Sequence, residues 1–133
     1  LRIAIDTNVL VRFLTEDDER QTELATPAIE DADSVVVSTT VLCETVWVLS
    51  RAFKLPRRRV AEVLRIFIQS DRVEVNRLEA EAGLLYLGRG GDFADGVILL
   101  QAEQSRADRL VTFDRNFART AVTSKSPIVV LAQ

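Results

Sequence analysis

Five short stretches constrain how this 133-residue chain can fold: Ile3-Ala4-Ile5, Val35-Val36-Val37, Val73-Glu74-Val75, Arg109-Leu110-Val111-Thr112 and Ile128-Val129-Val130-Leu131. Each is too short to be a helix and rich in the β-branched and aliphatic residues that strands favour. The second is wholly apolar, as expected of a strand covered on both faces. Longer segments with helical periodicity separate them. Short strands alternating with helices predict an α/β fold, with a central parallel sheet and helices on both faces. Pro and Gly together make only eight residues, and no repeat or low-complexity linker interrupts the pattern, so residues 1–133 read as a single domain. No apolar run approaches the ~18 residues that would span a bilayer, so no membrane association is expected. The first residues already read as a core strand rather than a leader, and the absence of Met places the expected start just upstream.

The helical segments can be placed in turn. Val9, Leu10, Phe13 and Leu14 recur at helical spacing, with Asp6 or Thr7 as the cap. Leu24, Ala25, Ala28 and Ile29 give a second apolar face, which Pro27 is expected to kink. Ser38-Thr39-Thr40 offers caps for a third helix with Leu42, Val46, Leu49 and Phe53 on its stripe. Pro56 opens a fourth, buried through Val60, Val63, Leu64 and Phe67. Asn76 caps a fifth that ends at Gly88. Asp92 and Asp95 open a sixth with Val97, Ile98, Leu99, Leu100 and Ala102 as its apolar residues. A short turn or helix follows at Asn116-Phe117-Ala118. Gly88-Arg89-Gly90-Gly91 lacks the Gly-Lys-Ser/Thr ending of a phosphate loop, which excludes that nucleotide-binding motif.

Composition narrows the chemistry. The chain has no histidine and a single cysteine, Cys43. Histidine-based general acid–base catalysis, Ser-His-Asp triads and Cys-His dyads are therefore excluded, as is an internal disulfide. The lone thiol suits a reducing cytoplasm. Any catalysis must use carboxylates, hydroxyls, Arg, Lys or a metal held by oxygen. Net charge is −3, but it is unevenly spread. Residues 16–33 carry eight acids and one base, whereas residues 51–65 carry six bases and one acid. Arginine outnumbers lysine fifteen to two, and the guanidinium is the better phosphate fork. Arg51, Arg57, Arg58, Arg59 and Arg115 are the candidates for holding a phosphate backbone, although such runs also arise as solvated helix faces.

Asp6, Glu44 and Asp114 each follow a predicted strand. The carboxyl ends of parallel strands share one edge, and that edge is where open α/β sheets bind ligands. Topology would thus bring together three acids separated by 38 and 70 residues. Asp92 and Asp95 lie three apart, on one face of a helix start. Each acid has a bland alternative as a helix cap or a favourable dipole charge, and Asp92 fits a cap best. A cluster of carboxylates is costly without a cation: two unit charges ~4 Å apart repel by roughly 4 kcal/mol at an effective dielectric of 20. Mg²⁺ or Mn²⁺ would relieve that repulsion and activate water for attack on phosphorus with no histidine present.

Four pieces in order, Ile5-Asp6-Thr7-Asn8-Val9-Leu10, Ser38 to Glu44, Asp92-Phe93-Ala94-Asp95 and Val111-Thr112-Phe113-Asp114-Arg115-Asn116-Phe117, make the chain resemble the PIN-domain ribonucleases. Among these it is most similar to the VapC-type toxins of toxin–antitoxin pairs. The resemblance implies a three-layer α/β/α fold with about five parallel strands in the order 3-2-1-4-5. It implies Asp6, Glu44, Asp95 and Asp114 as metal-binding and catalytic acids, with Asp92 as a further acid of many members. Thr7, Asn8, Thr112 and Asn116 match polar positions around the site. Gly96 departs from the alanine more usual there. The resemblance further implies endonucleolytic RNA cleavage, a homodimer, and a cognate antitoxin whose tail blocks the site. Two rival expectations are a phospho-acceptor receiver domain, echoed superficially by Lys125-Ser126-Pro127, and a non-catalytic interaction module.

Overall fold

The computed structural model describes residues 1–121 and 127–131. Lys125 and Ser126 lie outside them. The chain forms two compact units, Leu1–Asn76 and Arg77–Gln133, each described by itself.

The first unit runs β1 (Arg2–Ala4), α1 (Thr7–Thr15), α2 (Glu19–Glu30), β2 (Ser34–Val36), α3 (Thr39–Arg51), α4 (Arg57–Ile68) and β3 (Val73–Glu74). β2 is the middle strand. It pairs in parallel with β1, Ile3 opposite Val35, and with β3, Val35 opposite Val73. Ile5 lies past the β1 ladder, yet its N–H still donates to the Val36 carbonyl at 3.2 Å. Val35 in this strand and Val37 just past it are 1% exposed. Helices α1, α3 and α4 bury Leu10, Leu42, Leu49, Val60 and Leu64 almost completely.

Helix α2 departs from its expected face. It buries Ala25 and Ile29, but Leu24 is 69% exposed and Ala28 is also exposed. The small Ala25 lets α2 pack without needing a second large residue beside it. The helix continues through Pro27 to Glu30. Past its end, Arg72 donates through one guanidinium nitrogen to the carbonyls of Ile29, Glu30 and Ala32, at 3.2, 2.9 and 2.6 Å. A cation on the last carbonyls of a helix satisfies orphan acceptors and opposes the negative end of the dipole.

The second unit runs α5 (Arg77–Gly88), α6 (Phe93–Gln104), β4 (Leu110–Thr112), α7 (Arg115–Thr120) and β5 (Ile128–Val130). β4 and β5 pair in parallel, Val111 opposite Val129. Two glycines let α5 and α6 approach closely. A Cβ on Gly83 would meet the Phe93 ring at 2.6 Å, and one on Gly96 would meet the Ala82 carbonyl oxygen at 2.3 Å. The turn between the helices uses Gly90 at φ +84°, a conformation glycine adopts without strain. Tyr86, Leu99 and Phe117 form the core, with Leu110, Ala121 and Ile128 against it, and the Tyr86 and Phe117 rings meet edge to face. Ile98, read as part of the apolar face of α6, is 44% exposed.

The fold is thus α/β with parallel strands, as the alternating pattern predicts. The expected order appears as 3-2-1 in the first unit and 4-5 in the second. Among the described residues, no helix is long and apolar enough to cross a membrane.

Candidate active site

In the first unit the chain leaves β1 and starts α1 at once. Asp6 is the N-cap: its Oδ1 accepts from the Val9 backbone N–H at 3.1 Å. Thr7 therefore does not cap the helix. It is the first helical residue, and its hydroxyl donates to Glu44 Oε1 at 3.1 Å. Glu44 projects from the first half of α3, whose start is capped by the Ser38 hydroxyl accepting from the Val41 N–H. The Thr7–Glu44 bond ties the turn after β1 to the helix after β2, and so brings Glu44 to the neighbourhood of Asp6. Asp6, Asn8 and Glu44 are exposed and Thr7 is half-buried. Asp6 and Asn8 also line a cavity of about 300 Å³ between α1 and α2.

In the second unit Asp92 caps α6, accepting from the Ala94 N–H at 3.3 Å, and Asp95 lies in the first turn of that helix. Asp114 caps α7, its Oδ1 accepting from the Asn116 and Phe117 N–H groups at 2.9 and 3.2 Å. Thr112 Oγ1 in turn accepts from the Asp114 N–H at 3.0 Å, which fixes the turn after β4. Thr112 and Asn116 thus act on Asp114 directly, Asn116 through its backbone. Asp95 is half-buried, and its carboxyl is pushed up to about 6. Burial is the main cause, followed by the negative charges of Asp92 and then Asp114. The three aspartates therefore share one electrostatic neighbourhood.

The arrangement leaves ligand capacity. Asp6, Asp92 and Asp114 each use Oδ1 for their own helix N-terminus, and Glu44 uses Oε1 for Thr7. The second oxygen of each has no hydrogen-bond partner among the described residues. Oxygen donors with unspent lone pairs are the ligand type that a hard divalent cation takes. Among the described residues, no three or more acidic or sulfur side chains stand together as a group that could hold a metal ion.

The arginine candidates divide. Arg58 and Arg59 both reach Glu62, at 3.8 and 3.4 Å, on the exposed face of α4. Arg51, Arg57 and Arg115 are exposed with no acidic partner among the described residues. Sequence reading missed the link made by Thr7 and the Thr112 contact. An Asp-Thr or Thr-x-Asp step at a strand end was the available signal for each.

The family model of the PIN domain matches residues 3–123. No curated protein matches the chain. Among solved structures, the chain is similar to the VapC20 toxin of Mycobacterium tuberculosis, described as a sarcin-ricin loop cleaving toxin. Identity is 21% over 94% of this chain and 99% of that one, with a TM-score of 0.44. The family match runs from β1 past α7, through both units and all five acids, and on that ground the chain belongs to the PIN domain family.

Proposed function

We propose that this chain is a divalent-metal-dependent endoribonuclease, the toxin of a toxin–antitoxin pair. Asp6, Glu44, Asp95 and Asp114 are its proposed catalytic acids. The observation that carries this reading is the Asp92–Asp95–Asp114 neighbourhood, in which burial, and after it the negative charges of Asp92 and Asp114, hold the Asp95 carboxyl near 6. Its placement in a chain of the PIN family supports a nuclease. The toxin assignment rests on the motifs around Asp6, Glu44, Asp95 and Asp114.

Asp6, Glu44, Asp95 and Asp114 would hold Mg²⁺ or Mn²⁺, with Asp92 beside them. The bound ion supplies an acidified water and a sink for the charge that develops on the phosphate. Thr7 orients Glu44, and Thr112 orients Asp114. One of the carboxylates accepts the proton of the attacking water. Water adds to phosphorus and the 3′ oxygen leaves, which yields a 5′-phosphate and a 3′-hydroxyl. Arg51, Arg57 and Arg115, with Arg58 and Arg59, hold backbone phosphates; such contacts position RNA but carry little sequence information. A homodimer and a cognate antitoxin, acting in the cytoplasm, complete the proposal.

Asp6→Asn tests it. Asparagine keeps the N-cap but removes the charge. Mn²⁺-dependent cleavage of RNA should fall by more than about a hundredfold, beyond what loss of a mere supporting contact costs. The circular dichroism spectrum should not change. Undiminished cleavage by a folded Asp6→Asn protein would refute the site.

A further inference from the structure

We propose that the cavity between α1 and α2 is a base-binding subsite shaped for guanine. It would seat a splayed-out nucleotide of single-stranded RNA beside the scissile phosphate; the inference rests on the ribonuclease reading and specifies its substrate.

The cavity holds about 300 Å³, at the lower end of small-ligand sites. Val9, Leu24, Ala25 and Ala28 form its apolar wall, and Asp6, Asn8, Arg12 and Gln21 supply its polar groups. This setting accounts for Leu24, which is 69% exposed on a helix that buries only smaller or more distant residues. Flat apolar walls suit the face of a base, and unstacked bases are what proteins read in single-stranded RNA.

The polar groups narrow the choice. Arg12 Nε donates to Gln21 Oε1 at 2.5 Å, and Arg12 Nη1 donates to Asp17 at 3.1 Å. Two tethers fix the guanidinium plane. The Gln21 amide oxygen faces Arg12, and its amide N–H groups remain as donors. Arg12 Nη2 and the Asn8 amide likewise have no partner among the described residues. The cavity therefore sets donors from Arg12, Gln21 and Asn8 beside the unspent carboxylate oxygen of Asp6. Guanine presents two adjacent acceptors, O6 and N7, the pair that arginine most often reads.

Charge argues against a phosphate in the same place. Residues 16–33 carry eight acids and one base, and Asp17 already pairs with Arg12. A neutral base meets no such repulsion. Asp6 belongs both to the cavity and to the proposed metal-binding acids, so a base seated here lies next to the reacting phosphodiester.

The test uses the full chain with labelled Val and Ala methyls, titrated separately with GMP, AMP, CMP and UMP without added metal. GMP should shift Val9, Ala25 and Ala28 and bind roughly tenfold more tightly than the others, the discrimination of one good bidentate contact. Ala28→Phe should fill the cavity and abolish the shifts. Gln21→Leu, at an exposed position, should remove the preference for GMP. In cleavage of a randomised RNA pool, the wild type should cut beside G, and Ala28→Phe should lose that bias. Absent shifts, or equal shifts with all four nucleotides, overturn the proposal even if the protein cuts RNA. GMP binding at these methyls by a protein that cuts no RNA upholds the guanine site and instead removes the ribonuclease reading.

Discussion

Asp95 is the residue on which charge, burial and position converge. It stands in the first turn of α6, already capped by Asp92, so it is not needed to start the helix. Its carboxyl titrates near 6, above its ordinary value of 3.8, because burial and two neighbouring aspartates disfavour the anion. A raised acid binds its proton more tightly in the folded than in the unfolded state. The stabilisation that this proton provides is complete below about 4 and is lost as pH rises through about 6. Metal-free protein should therefore lose roughly 1 kcal/mol over that window, after solvent screening at a half-open position. Asp95→Asn should flatten the dependence, as urea midpoints against pH would reveal, and carboxyl NMR should place the wild-type midpoint near 6. Asp95 already stands out in the sequence, because a second acid three residues after a capping acid has no further local task. The work of Thr7 does not. Its hydroxyl finds Glu44 across 37 positions of sequence, and only the pairing of β1 with β2 makes them neighbours.

Among the elements, the α5–α6 pair shows where helix propensity yields to packing. Alanine at position 96 would improve intrinsic helix stability by ~1 kcal/mol. Its methyl would, however, stand 2.3 Å from the Ala82 carbonyl oxygen, which is backbone and cannot rotate aside. Gly96→Ala should therefore destabilise the protein by about 1–3 kcal/mol, the usual range for overpacking. Thermal melts should register the loss, and RNA cleavage should fall with it, because α6 carries Asp92 and Asp95. The strands and helix starts were readable from the chain: short apolar runs, then Asp, Ser or Pro at the turn. Outward-facing apolar residues were not. Leu24 and Ile98 have helical spacing but lie on the surface, since periodicity marks a stripe without saying how much of its width the neighbouring helix covers. The departure at Gly96 was visible in sequence, but its cause lay in the closeness of two backbones.

At the scale of the molecule, the proposed metal binding would couple to the stability of the fold. That coupling is measurable without RNA. Mn²⁺ in hundredfold excess over its dissociation constant should stabilise the folded chain by about 2.7 kcal/mol, and Mg²⁺ should lower the Asp95 midpoint from about 6. Asp6→Asn should weaken the stabilisation by Mn²⁺, as calorimetry would record. Unchanged Mn²⁺ affinity would remove Asp6 from the proposed metal-binding acids. One feature of the carboxylates bears on inheritance as well as on chemistry. Asp6, Asp92 and Asp114 each spend one oxygen holding the start of a helix. On the proposed reading, selection for a stable fold and selection for activity would act on the same side chains. In a lineage released from its nuclease role, asparagine would be the substitution of least resistance, since it caps a helix as well as aspartate does. Silenced copies would keep an intact architecture while losing only negative charge.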